Sequence, residues 1–139
     1  MANTIARKYS SINHISAHRL KSLKKGTFIL VDVRRPKERL VSTIPGSIDK
    51  KRFEEIAASE IKNKQVIFYC TIGERSSRYA SDFLEQNKEV KVSNLHGSIL
   101  GWIQEGGPLE DPTKQETKKV HVYSEAWSFV PKSFEPVWN

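Results

Sequence analysis

The stretch FYCTIGERSSRYASDFL, Phe68 to Leu84, holds the only cysteine of the chain, Cys70. Gly73 follows three residues later and Arg75 five later, and Tyr79, Ala80, Phe83 and Leu84 then recur at helical spacing. A buried strand ending in cysteine, a tight loop and a helix start together make an anion site. Loop amides converge on one point and the helix directs its positive end at it. Gly73 relaxes the backbone in the turn. Arg75 adds a permanent cation. Features of this kind favour the thiolate, the nucleophilic form of cysteine. The plainer reading is a buried cysteine acting as a small hydrophobe; the order Cys70, Gly73, Arg75, Ser76 and a helix favours the reactive thiol. Ser76 itself reads as an N-cap rather than as a nucleophile.

Several elements must position that loop. Phe28 to Val33 (FILVDV) and Gln65 to Tyr69 (QVIFY) are nearly continuous apolar runs, the pattern of strands buried on both faces. Ser11 to Ile15 and Val90 to Leu95 read as two further strands. Ser16 caps a short helix that uses Leu20 and Leu23 and stops at Gly26. Pro36 opens a short helix to Leu40. Helices are also expected over Lys51 to Ala58, Ser76 to Gln86 and Ser98 to Gln104, the last ended by Gly106, Gly107 and Pro108. Strands alternating with helices predict an α/β fold, a central mostly parallel sheet with helices on both faces. The expected organisation is a basic N-terminal arm over residues 1–10, one domain over 11–112, and an aromatic-rich extension over 113–139 that packs on it. Tyr123, Trp127, Phe129, Phe134 and Trp138 form either a covering for the domain's flank or a surface for a protein partner.

The chain is 37% hydrophobic and 28% charged, the composition of a folded globular protein. A net charge of +7 favours anionic partners, but basic and acidic residues are interspersed. There is no basic block with interleaved aromatics, so nucleic acid is not an expected partner. No apolar run approaches the roughly 18 residues of a membrane span, and the N-terminus lacks the apolar core of a signal peptide, so neither membrane nor export is expected. One cysteine excludes an internal disulfide and fits a cytoplasmic location. His14 and His18 are four apart with the Ser16 cap between them, so no metal site is expected.

The segment CTIGERS resembles the active-site loop of single-domain rhodaneses. The segment LVDVRRPKERLVSTIPGSI resembles that family's first signature, carried by Asp32, Arg34, Pro36, Glu38, Ile44, Pro45 and Gly46. NLHGSILGWIQEGGPL resembles the second, carried by Leu95, Gly97, Trp102, Gly107 and Pro108. The resemblance covers Ser11 to Leu109. It implies a rhodanese-like fold and a sulfurtransferase in which Cys70 takes sulfur from a small donor as a persulfide and passes it to a thiol or cyanide-like acceptor. The loop Thr71, Ile72, Gly73, Glu74, Arg75 and Ser76 would bind the substrate, and no cofactor is implied. Asp32 and Arg34 read as loop supports and His96 as a pocket residue. Ser42-Thr43 and Ser98 stand where the family commonly has Gly-His and a second glycine, departures not expected to touch the chemistry. Glu74 beside Arg75 opposes a dianion, so thiosulfate is expected to be a poor donor. Two alternatives stand beside this one. The first is a cysteine phosphatase or arsenate reductase on the same fold, though those enzymes place five residues between cysteine and arginine and only Thr71 to Glu74 intervene here. The second is a rhodanese-like protein-binding module.

Overall fold

In a computed structural model, which describes residues 1–123, 126 and 129–138, the chain forms a five-stranded parallel sheet in the order β1-β5-β4-β2-β3. Its strands are β1 (Asn13–Ile15), β2 (Phe28–Asp32), β3 (Ile48–Asp49), β4 (Gln65–Tyr69) and β5 (Lys91–Leu95). The helices are α1 (Ala2–Lys8), α2 (Ala17–Ser22), α3 (Pro36–Arg39), α4 (Lys50–Glu55), α5 (Ala58–Ile61), α6 (Glu74–Gln86) and α7 (Ser98–Gln104).

The two continuous apolar runs become β2 and β4, side by side at the centre of the sheet, in register from Phe28 opposite Gln65 to Asp32 opposite Tyr69. Side chains alternate between faces along each strand. Leu30, Ile67, Tyr69 and Leu95 pack with Leu20 of α2 and with Ile99, Leu100 and Ile103 of α7. Val31, Val66, Phe68 and Val92 face the other way, with Phe53 of α4 and Ala80 of α6. Phe68 meets Phe53 edge-on at 5.3 Å and Tyr79 at 5.0 Å between ring centroids. This second core carries Cys70, the residue that follows β4.

Three features depart from the expectations. The helix expected at Ser76 begins at Glu74, because Gly73 takes a left-handed φ of +113° and forms the N-cap itself. The N-terminal residues hold a helix, α1, whose Ile5 is buried. The helix expected over Lys51 to Ala58 divides into α4 and α5, with Ile56 and Ala57 extended between them. The Ser16 cap is present, its hydroxyl accepting from the Arg19 amide at 3.0 Å.

Beyond α7, Gly107 lies so close to Trp102 that a Cβ there would come within 2.3 Å of the indole ring. β6 (Leu109–Glu110) pairs antiparallel with β7 (Glu116–Thr117). β8 (Lys119–His121) pairs parallel with β9 (Glu135–Val137). Val120, Val122 and Ala126 are buried in the α7-side core, and Tyr123, Val130 and Phe134 pack against it. Phe129 and Trp138 are exposed, and Trp127 lies outside the described residues. Among the described residues no helix is long and apolar enough to cross a membrane.

Candidate active site

Cys70 stands beyond the carboxyl end of β4, where open parallel sheets hold their sites. It is buried, and the chain on either side is anchored. Its amide donates to the Ser98 hydroxyl at 3.1 Å and its carbonyl accepts from the Ile99 amide at 3.1 Å. The Leu100 amide bonds the Thr71 carbonyl at 3.3 Å, so α7 holds the base of the loop. The loop then turns back on the sulfur, and the Gly73 amide donates to Cys70 Sγ at 3.1 Å. The first amides of α6 have no earlier carbonyl within the helix to bond, so this end carries partial positive charge.

A polar chain runs away from the sulfur on its buried side. His14 Nε2 faces the Tyr9 carbonyl at 2.9 Å and must donate to it. His14 Nδ1 lies 3.1 Å from Asn94 Nδ2, and Asn94 Oδ1 accepts from the Ser76 hydroxyl at 2.6 Å. That hydroxyl also lies 3.4 Å from Sγ, but its one proton is directed at the closer Asn94. Ser76 is therefore an internal link of the site and not the helix cap. Ser98, the departure from the family's glycine, does touch the site. It keeps a left-handed φ of +51° and places its hydroxyl 4.0 Å from Sγ while binding the Cys70 amide.

The loop charges are paired. Arg75 makes two hydrogen bonds to Glu38, at 2.8 and 2.9 Å, and a third to Thr71 Oγ1 at 3.0 Å. Burial opposes ionisation of Glu38. The hydrogen bonds from Arg75 and from the Arg35 amide, with the charges of Arg75 and Arg34, outweigh it and hold that carboxyl down at about 2. Glu74 accepts from the Tyr9 hydroxyl at 2.5 Å and from Lys8 at 3.0 Å, and these partners hold it below the usual carboxylate range.

Asp32 and Arg34 lie one layer deeper. Their side chains have no exposed surface and meet at 2.8 Å. Asp32 also accepts from the Tyr69 hydroxyl at 2.8 Å, and Arg34 donates to the Ser42 carbonyl at 2.7 Å. Tyr69 in turn accepts from the Ile44 amide at 3.1 Å, so this set fixes the Ser42–Ser47 turn.

A cavity of about 550 Å³ opens over Cys70, lined by Ile72, Glu74 and Arg75 of the loop and by Arg35, Lys37 and Glu38 of the α3 region. His121, Val122, Tyr123 and Trp138 complete the lining. None of these four had been assigned to the site. His121 is nearly buried, with Nδ1 3.8 Å from Glu38 Oε1, and burial pushes it below the usual histidine range against the pull of Glu38. His96 is elsewhere, beside a smaller cavity of about 230 Å³ with Met1, Ala2 and Phe129. Ile72 separates the two cavities, lining both.

Residues 16–105 match the model of the rhodanese-like domain, and the chain belongs to that family. It is 36% identical over 86 residues to a sulfurtransferase of Allochromatium vinosum, covering 60% of this chain and 79% of that protein. Among solved structures it is similar to a protein of unknown function from Rhodopseudomonas palustris described as a possible tyrosine phosphatase, with a TM-score of 0.59 and 26% identity over 79% of this chain and 94% of the other. It also shares its fold with a thiosulfate sulfurtransferase of Pseudomonas aeruginosa, at a TM-score of 0.67 and 22% identity. That match covers 82% of this chain and only 22% of the longer protein.

Proposed function

We propose that this protein is a sulfurtransferase in which Cys70 carries sulfur as a persulfide from a small donor to a thiol or cyanide-like acceptor. The Cys70 thiolate attacks the outer sulfur of the donor. The bond between that sulfur and the rest of the donor breaks, and the leaving group departs with the electron pair. The acceptor then attacks the outer sulfur of the persulfide, and the pair of the S–S bond returns to Cys70 Sγ. Two easier displacements replace one difficult transfer.

The observation that carries this reading is the loop itself, with the Gly73 amide 3.1 Å from Sγ at the start of a thirteen-residue helix. A donor aimed at the sulfur also stabilises charge near it. The loop is short: four residues separate Cys70 from Arg75, and a small ring suits one added sulfur atom better than a tetrahedral phosphate. The 36% identity to a sulfurtransferase supports the same reaction class.

The test is thiocyanate production from cyanide with thiosulfate and with an organic thiosulfonate as donors. Wild type is expected to turn over with at least one of them and Cys70→Ser with neither. Hydrolysis of an aryl phosphate without sulfur transfer would move the assignment to the phosphatases. Neither activity would leave a binding module.

A further inference from the structure

The family match ends at residue 105, yet a histidine from beyond it lines the cavity over Cys70. His121 closes β8 and is only 7% exposed. Both of its ring nitrogens are buried, and among the described residues neither has a hydrogen-bond partner. A buried polar atom left without a partner is costly, so groups of this kind are rare and commonly serve a function.

The facing group is Glu38. His121 Nδ1 stands 3.8 Å from Glu38 Oε1, too long for a hydrogen bond but within ion-pair range once the ring is charged. The carboxylate is already fully engaged. Its Oε1 accepts from Arg75 Nη2 at 2.9 Å and from Thr71 Oγ1 at 3.4 Å. Its Oε2 accepts from Arg75 Nη1 and from the Arg35 amide, both at 2.8 Å. While His121 is neutral, the charges of Arg75 and Glu38 cancel. A proton on His121 has two effects. The imidazolium competes with Arg75 Nη2 for Oε1, and the three side chains together carry a net positive charge at the cavity.

We propose that His121 determines which reagents Cys70 accepts, its neutral form leaving the site indifferent to charge and its protonated form favouring anions. It acts through Glu38 and Arg75 and not by touching the reagent, since its nitrogens lie below the surface. The proton comes from solvent and returns to it. Burial holds the ring below its ordinary 6.5; Glu38 opposes this, and Lys37, Arg34 and Arg75 add to it. The change therefore falls below pH 6.5, in a range where Glu38 and Glu74, both held low, stay ionised. On the sulfurtransferase reading, acid shifts the preference of Cys70 from neutral thiosulfonates toward thiosulfate.

The test is alkylation of Cys70 by anionic iodoacetate and neutral iodoacetamide between pH 8 and 5 at low salt. Both reagents need the thiolate, so the ratio of their rates cancels the titration of Cys70 itself. The ratio is expected to be level above pH 7 and to rise about three- to tenfold toward pH 5, and less in 0.5 M salt. His121→Gln is expected to remove most of that rise. Glu38→Gln is expected to start from a higher ratio at pH 8, because Arg75 has lost its counter-charge, and to rise less. A level wild-type ratio overturns the proposal, as does a rise that survives undiminished in His121→Gln. Where His121→Gln does not fold, a Glu38→Gln profile identical to wild type overturns it.

Alkylation needs no persulfide, so this claim and the sulfur-transfer reading fail separately. A pH-dependent ratio without thiocyanate formation removes the reaction class alone. A level ratio with normal thiocyanate formation removes the role of His121 alone.

Discussion

Arg75 grips Glu38 at two points, 2.8 and 2.9 Å, so the one cation of the cysteine loop is tied to α3. The pair joins the loop after β4 to the helix after β2 and sets the width of the cavity between them. Arg75 thus contributes geometry as much as charge: its third bond, to Thr71 Oγ1, closes the loop on itself.

The pair makes stability depend on acid. Glu38 is held at about 2 against an ordinary value of 4.5. Its contribution is fully present above 4.5 and is lost as pH falls through about 2. A shift of this size corresponds to about 3 kcal/mol, since one pKa unit is about 1.4 kcal/mol. Urea midpoints measured between pH 6 and 2 are expected to fall more steeply for wild type than for Glu38→Gln. Parallel curves would show that Glu38 does not hold the loop.

Glu74 was expected to oppose anionic donors, but Tyr9 and Lys8 hold its carboxylate at 2.5 and 3.0 Å. Removing both, in Lys8→Ala with Tyr9→Phe, frees a negative charge at the cavity. Reaction of Cys70 with thiosulfate is then expected to slow about two- to fivefold at low salt, with less effect on a neutral donor and recovery in 0.5 M salt. Adding Glu74→Gln to the double variant should restore the rate. An equal loss with neutral and charged donors would place the effect on loop geometry instead of charge.

Much of this arrangement was legible in the sequence, and what was missed shares a physical cause. FILVDV and QVIFY read as central strands because strands buried on both faces need continuous apolar runs. The Cys70 and Gly73 spacing announced the loop because the turn returns the Gly73 amide to the sulfur within three residues. β3 escaped notice, since two residues, Ile48 and Asp49, have no periodicity to read. α1 was missed because ANTIARK buries one side chain, Ile5, and depends on the domain for support. Glu38 was quoted for its place in a signature, and nothing local shows that it meets Arg75 37 positions later. The Val122, Tyr123 and Trp138 wall is likewise a product of tertiary folding. Their apolar character was plain, but not that β8 and β9 bring them over the end of β4.

Ser98 tests how a departure from a family pattern is absorbed. Glycine at this position would relieve the left-handed φ of +51°, a conformation costing roughly 1–2 kcal/mol, and would lose a buried hydrogen bond worth about 1 kcal/mol. Ser98→Gly is therefore expected to change the unfolding free energy by less than about 1 kcal/mol while altering the alkylation rate of Cys70, whose amide the hydroxyl binds at 3.1 Å. An unchanged alkylation rate would make Ser98 a silent replacement.

The central claim is that Cys70 carries sulfur. Intact-protein mass spectrometry after brief exposure to thiosulfate, an organic thiosulfonate or an organic persulfide tests it directly. The account expects a gain of about 32 Da on Cys70, one sulfur atom, removed by cyanide and absent in Cys70→Ser. A wild-type mass unchanged by every donor, or a gain that persists in Cys70→Ser, would contradict it.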